Sequence, residues 1–345
     1  MADVLLVTKP LVPPWTDGAK NLARDLVEYC PGRHQLRCMV TRGAQAPRGG
    51  LAEPVYSEPG GWRPGLRQNA EAMIRLLRPD ESDIYHFFFA PNPRTNAFAG
   101  LATGLRRKRT IHTVVSEPSG EPRWFADVHV ALTHATGDRL RARGARDVRV
   151  IAPGIPGTFR RAPDRERFGL PEGPIVLFAG DLIEDGGADL LTAAALKIPD
   201  LTVVFACRPK GEGREARQSR IQTQLGERAL WLGMVDDMAG LLASVDAQCI
   251  PATNLHAKMD LPMVLLEGMA QGLPTVVADA DPIRELKGAL KVRPNPEALA
   301  AGLRSVITEG PARERAQAMA LAATEHYDAA QMAHAYAALY DEVAP

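Results

Sequence analysis

Lys258-Met259-Asp260-Leu261-Pro262-Met263-Val264-Leu265-Leu266-Glu267-Gly268-Met269-Ala270-Gln271-Gly272-Leu273-Pro274-Thr275-Val276-Val277 holds a loop, a helix, a sharp stop and a buried strand. Asp260 followed by Pro262 marks a helix start, because proline fits a first turn where its missing N–H is not needed. Gly272 and Pro274 mark the stop, so the spacing predicts a helix over Pro262–Gln271. A helix start leaves N–H groups without carbonyl partners and carries the positive end of the helix dipole, which suits a diphosphate. Glu267, about two turns in among apolar neighbours, needs a hydrogen-bonding partner. Two vicinal hydroxyls of a ribose would serve.

Outward from this stretch, short apolar runs alternate with helical patterns. Upstream, strands are expected at Ile175–Ala179, Leu201–Ala206, Ala229–Leu232 and Ala247–Ile250, between helices opening at Asp189 and covering Arg214–Leu225 and Met238–Ala243. Continuously apolar strands are the pattern of a parallel sheet buried on both faces. A Pro- and Gly-rich stretch, Ala152–Pro174, separates this unit from an earlier one of the same kind. There, strands are expected at Val4–Thr8, Gln35–Thr41, Ile84–Phe89, Thr110–Val115, Val128–Leu132 and Val148–Ile151. Helices are expected near Gly18–Tyr29, Gly65–Leu77, Ala97–Arg106 and His134–Arg143. Beyond the quoted stretch the chain reads as three helices, Pro296–Thr308, Pro311–Glu325 and Ala329–Val343. The last is apolar at Met332, Ala335, Tyr336, Leu339 and Tyr340 and is expected to pack back on the first domain. Two α/β domains follow: residues 1–153, with 329–345 folded onto them, and residues 154–328.

The bulk properties agree. At 345 residues the chain is longer than one core supports. With 41 Lys plus Arg against 41 Asp plus Glu it has no basic field for nucleic acid. Cys30, Cys38, Cys207 and Cys249 form no C-x-x-C pair and read as small buried residues of a reducing compartment. Met1–Val7 carries an acid where a secretory signal has a cation, and no run reaches the length of a membrane span, so a cytoplasmic location is expected. Arg106-Arg107-Lys108-Arg109 reads as a solvated helix end or as a peripheral membrane contact. Asp279-Ala280-Asp281 reads as a turn, and no metal site is expected. The absence of G-x-G-x-x-G after the first strand, and of a P-loop, disfavours dinucleotide oxidoreductases and P-loop NTPases. In open parallel sheets ligands bind beyond the carboxyl ends of the strands. Those are the loops after Ala179, Ala206 and Ile250, and after Thr8, Phe89 and Val115.

Leu261 through Val277 resembles the motif of glycosyltransferase family 4: Glu, seven residues, Glu, then Ala-Met-Ala-x-Gly-x-Pro-Val-Val. Val176–Gly180 with Asp189-Leu190-Leu191 resembles that family's first donor-domain strand, glycine and helix. Leu232-Gly233 with Asp236 resembles its Leu-Gly-x-Val step, Ile151–Ile155 its interdomain Ile-Pro-Asn-Gly, and Asp83–His86 its Asp-Val-Val-His strand. Pro13–Gly18 takes the place of its glycine-rich acceptor-side loop. The resemblance implies the GT-B fold, two Rossmann-like α/β domains whose parallel sheets face across a cleft. It implies hexose transfer from a nucleotide-diphosphate sugar, UDP- or GDP-linked, with retention at the anomeric carbon and without a metal or other cofactor. The donor is expected on the second domain, with the nucleotide at Gly180, the diphosphate on the helix start at Leu261, Pro262, Met263 and Val264, and the ribose on Glu267. Gly18 is expected to line the cleft and the acceptor to bind the first domain.

The sequence departs from the pattern in four places. The first Glu of the motif falls at Met259, leaving Asp260 as the nearby acid. The family's Arg after the first glycine and Lys before the next are Asp181 and Gly186 here. Charged hydrogen bonds are worth roughly 1.5–3 kcal/mol each, so replacements are expected in Arg208, Lys210 and Lys258 on the ligand edge. The acceptor-side His falls at Val115 or Ser116, with His112 three residues upstream as a stand-in. Catalytic candidates are therefore Glu267, Lys258, Asp260 and His112, while His86 reads as a satisfied strand histidine. The rivals are a non-catalytic GT-B binding or assembly protein that has lost its phosphate cations, and a sugar-nucleotide epimerase.

Overall fold

The computed structural model describes residues 1–345 except 60–63, 119, 158–159, 210–212 and 256–257. Its contacts divide the chain into two units. Unit one is Met1–Pro156, His256–Met263 and His326–Pro345; unit two is Gly157–Leu255 and Val264–Glu325. The reading of the sequence kept 256–263 with the second domain, whereas the division falls between Met263 and Val264.

Unit one begins with β1 (Asp3–Val7), α1 (Gly18–Tyr29), β2 (Gln35–Thr41), β3 (Leu51–Tyr56), α2 (Leu66–Leu77) and β4 (Ile84–Phe88). It continues with α3 (Pro93–Arg106), β5 (Arg109–Val114), β6 (Val128–Ala131), α4 (His134–Ala142) and β7 (Val148–Val150). Unit two holds β8 (Ile175–Gly180), α5 (Ala188–Ala195), β9 (Thr202–Cys207), α6 (Arg214–Leu225), β10 (Ala229–Trp231) and α7 (Met238–Ala243). Then come β11 (Ala247–Ile250), α8 (Met263–Ala270), β12 (Thr275–Ala278), β13 (Leu290–Val292), α9 (Pro296–Ile307) and α10 (Pro311–Ala323), and finally α11 (Ala329–Val343), which returns to unit one.

Strand order is β3-β2-β1-β4-β5-β6-β7 in the first sheet and β10-β9-β8-β11-β12-β13 in the second. The strands are parallel throughout. Each order reverses at its first strand, which is the doubly wound pattern with a switch point between β1 and β4 and another between β8 and β11. Alternate residues of each central strand enter different cores. Val4 and Leu6 lie with α1, and Leu5 and Val7 lie against the opposite layer. Val176 and Phe178 enter one core of unit two, and Ile175, Leu177 and Ala179 the other. This is why the central strands read as continuously apolar. The edge strands β7 and β10 were expected, but the opposite edges were not: β3 carries Glu53 and Pro54, tolerated because an edge strand leaves one side of its backbone unpaired, and β13 is only three residues long.

Helix α11 shares the core of α1 and β1 through Met332, Ala333, Tyr336, Leu339 and Tyr340. Ala335, expected in this stripe, is exposed, and Ala333 and Ala337 are buried instead. His86 is satisfied from both sides: Nδ1 lies 2.7 Å from the Tyr340 hydroxyl and Nε2 2.8 Å from that of Thr113. Thr113 Oγ1 in turn lies 3.0 Å from the Tyr336 hydroxyl. In the basic run after α3, Lys108 points inward, donating to the carbonyls of Asp80 and Ser82 and pairing with the Asp80 carboxylate at 3.2 Å.

Two further imidazoles stand side by side at the register pair His112↔His129. Among the described residues neither ring nitrogen of His129 has a hydrogen-bond partner. Burial pushes His129 down to about 4 and His112 down to about 3, whereas an unfolded imidazole titrates near 6.5. Below about pH 6.5 the unfolded chain takes up protons that the native chain does not. Their contribution is therefore complete above pH 6.5 and is lost as pH falls towards 4. Asp25, pushed up to about 7 by burial, works in the opposite sense, its contribution present in acid and lost as pH rises towards 7. The two histidines outweigh it, so Tm falls on acidification from pH 6.5 to 4. His129→Phe should make this fall shallower by up to about 1.4 kcal/mol per pH unit, one proton's worth. Melting curves across that range check it, and an unchanged slope would show that His129 titrates normally in the native state.

Candidate functional site

Strand register joins Asp181, a departure from the family pattern, to Arg208, one of the cations expected to replace the lost ones. β8 and β9 pair residue by residue up to Gly180↔Cys207, so Asp181 and Arg208 are the next residues along each strand. Arg208 donates from Nε to one Asp181 carboxylate oxygen and from Nη2 to the other, both at 2.7 Å. The Asp181 side chain is 2% exposed and that of Arg208 23%. The acid in the family's cation position is thus matched by a cation from the adjacent strand.

The loop after β8 is laced to the loop after β11, across the switch point. The Asp185 carbonyl accepts from the amides of Thr253 and Asn254, at 3.1 and 3.3 Å. Asp185 and Gly187 both have left-handed backbones, with φ of 55° and 97°. A Cβ at Gly187 would lie 2.8 Å from the backbone of Pro251 and Ala252, so only glycine allows these loops to approach so closely.

Helix α8 starts at Met263, one residue later than expected. Glu267 is then its fifth residue, a little more than one turn from the start rather than two. Its side chain is nearly buried, at 8% exposed. The helix is fixed to the sheet by Gln248 of β11, whose Nε2 donates to the Leu265 carbonyl and to Thr275 Oγ1, both at 2.8 Å. A Cβ at Gly268 would meet Gln248 Nε2 at 2.4 Å, so the glycine standing where the family has Ala makes room for this amide. Sequence reasoning passed over Gln248. Its signal is a lone amide in the apolar strand Ala247-Gln248-Cys249-Ile250.

The segment before α8 belongs to unit one. Lys258, Asp260, Leu261 and Met263 are buried, and Pro262 and Val264 are half-buried. The Asp260 amide donates to the Val115 carbonyl at 3.1 Å, just beyond the end of β5. Gly18 opens α1 behind the N-cap Asp17, which accepts from the amides of Ala19 and Lys20. A Cβ at Gly18 would come 3.0 Å from Met259 Sδ, so the thioether stands against the space the glycine leaves. Lys210 lies outside the described residues.

His112 does not match its expected role at an acceptor. The ring is wholly buried, with Nε2 3.1 Å from the Phe89 carbonyl and Phe89, Phe125 and His129 packed around it. β5 alternates its side chains between two buried layers, so a residue two positions from the strand end stays inside. Among the described residues no group of three or more His, Cys, Asp or Glu could hold a metal ion. Among them, too, no helix is long and apolar enough to cross a membrane.

Residues 173–341 match the family described as Glycosyl transferases group 1. The phosphatidyl-myo-inositol mannosyltransferase of Mycobacterium tuberculosis is 33% identical over 190 residues, covering 50% of this chain and 48% of that protein. The chain therefore spans about half the length of the curated relatives it matches. Among solved structures, Anabaena HepE in complex with UDP and glucose has a TM-score of 0.77 at 17% identity, over 99% of both chains. Sucrose-phosphate synthase from Thermosynechococcus elongatus has 0.76 at 17%, again over 99% of both. At such identities these neighbours establish the fold, and the family match extends over residues 173–341 alone. Two doubly wound units thus give this chain the GT-B fold, and residues 173–341, just under half of it, carry the match to the group 1 glycosyl transferases.

Proposed function

We propose that the chain transfers a hexose from a nucleoside-diphosphate donor, bound on unit two, to an acceptor. The observation that carries this reading is the carboxyl edge of the second sheet. β8 lies between β9 and β11, so Arg208 and the loop after β11 stand about 10 Å apart across a single strand. That places a cation beside the topological switch point, where such sheets take their ligands. HepE is known in complexes with UDP and with UDP-glucose, and the curated relatives are mannosyltransferases. Their common element is an activated hexose, and UDP is the first nucleotide to try, with GDP the second.

In this reading Gly180 lies along the nucleotide and Glu267 accepts from the ribose hydroxyls. The diphosphate takes Arg208 and the amides of the first turn of α8. Negative charge gathers on the diphosphate as the sugar–oxygen bond breaks, so fixed cations and N–H groups stabilise the transition state more than the ground state. No side chain acts as nucleophile. The departing phosphate oxygen takes the acceptor proton, the new bond forms on the same face, and no metal is needed. His112, closed inside its sheet, takes no part. The pairing of Asp181 with Arg208 weighs against a non-catalytic protein that has merely lost its cations.

Purified protein should release UDP from UDP-glucose, or GDP from GDP-mannose, and Glu267→Ala should raise the donor KM about tenfold or more, the loss of a charged hydrogen bond. An unchanged KM would remove Glu267 from the ribose, and a chain that binds neither nucleotide would end the donor reading.

A peripheral membrane contact of unit one belongs to the same proposal. Phe98, Leu101 and Leu105 follow one another along the outer face of α3, at 56%, 59% and 67% exposed. Arg94 precedes this stripe and Arg107 and Arg109 follow it, all three exposed. An apolar stripe flanked by cations suits an anionic lipid surface. Wild-type protein should sediment with phosphatidylglycerol vesicles, and the double variant Phe98→Ser, Leu105→Ser should stay in the supernatant. Equal recovery of the two rules the contact out.

A further inference from the structure

An acid in the first turn of a helix suits the helix dipole, but it repels a diphosphate bound near the same end unless cations neutralise it. Asp189, in the first turn of α5, is held by two. Arg217 of α6 donates from Nε to one carboxylate oxygen at 2.8 Å, and Arg220 from Nη2 to the other at 2.7 Å. The two arginines stand three residues apart on one face of α6. Arg220 is 52% exposed, and an ion pair so open to water is worth little by itself. Arg217 is only 13% exposed, and its Nη1 continues to the Leu182 carbonyl at 3.2 Å. Among the described residues Arg220 makes no hydrogen bond to that loop. A single guanidinium thus joins α6, the start of α5 and the chain leaving β8.

The Leu182 carbonyl lies beyond the last ladder pair, Gly180↔Cys207, so the sheet does not satisfy it and Arg217 does. The Leu182 side chain is buried in the core shared with α5 and α6. At the far end of the same loop the Asp185 carbonyl accepts from the amides of Thr253 and Asn254, and Gly187 packs on Pro251 and Ala252. Residues 181–187 are therefore fixed from both sides, by the loop after β11 at one end and by Arg217 beside Gly180. We infer that Arg217 is a positioning residue for donor binding: by tying the Leu182 carbonyl to the Asp189 carboxylate, it holds the loop after β8 in the shape that receives a nucleoside diphosphate. This rests on the donor reading above and requires no contact between Arg217 and the donor. A loop ordered before the ligand arrives loses less freedom on binding.

Calorimetric titration of the full chain with UDP tests this through a matched pair of variants. Arg217→Met and Arg220→Met remove the same charge from the same carboxylate, and only the first also removes the bond to Leu182. Arg217→Met should bind UDP about tenfold more weakly, the order of a charged hydrogen bond. Arg220→Met should stay within about twofold of wild type, as a surface pair allows. Arg217→Lys keeps the charge without the planar fork and should fall between wild type and Arg217→Met. Wild-type affinity in Arg217→Met overturns the inference and leaves the donor reading standing. Equal losses in the two Met variants also overturn it, since they report the lost charge alone. So does a fall in the number of binding sites at wild-type affinity, which reports unfolded chains among intact ones. If Arg217→Met does not fold, Arg217→Lys is set against Arg220→Lys: weaker UDP binding in the first alone is the expected result, and equal affinities overturn the inference. A wild-type chain that binds neither UDP nor GDP removes the donor reading and this inference together.

Discussion

A parallel strand buried on both faces can carry polar chemistry only at its ends. Val4 to Val7 and Ile175 to Ala179 send alternate side chains into different cores, and a charge placed among them would have no partner. Unusual polar residues are therefore driven to the carboxyl edges, where the connections to the helices leave room. At the switch points the two flanking connections run to opposite faces of the sheet, and in unit two that opening is bounded by loops laced through Asp185, Thr253 and Asn254. The polar edge of unit two depends on this geometry.

The charges of the edge behave as a set. Taken alone, Asp181 looks like a defect, an acid where the family keeps a cation. Beside Arg208 it becomes half of a bidentate pair, and the sign of the local charge is decided by which partner remains accessible. The same holds for packing. Gly268 looks like a weakened helix residue until Gln248 is found in the space that an alanine methyl group would need. Two departures from the family pattern are thereby explained by neighbours far away in the sequence.

The interior of the fold was legible and its margins only in part, for β7 and β10 were read and β3 and β13 were not. Central strands such as β2 and β11, and helices such as α1, α6 and α11, follow the periodicity of their apolar residues because both faces, or one broad face, must be buried. β3 and β13 were missed because an edge strand has fewer neighbours to satisfy, which lets Pro54 and Glu53 stand in one and reduces the other to three residues. His112 was misjudged for a related reason: proximity to a strand end along the chain does not give exposure. The ring lies under Phe125, thirteen positions later, and that cover has no local signature.

What the sequence determined by itself is everything set by the chain's own period and punctuation. That includes apolar runs that must be parallel strands, the proline and glycine that bracket α8, the tandem of two α/β units, and the motif around Glu267. What only the tertiary structure decided is which distant residues became neighbours: Arg208 beside Asp181, Gln248 beneath Gly268, α11 against α1, and a closed layer over His112. Periodicity is written into successive residues, because burial acts on each strand or helix separately. Pairing arises from the register between strands and the layer over them, a property of the assembled sheet that no single segment contains.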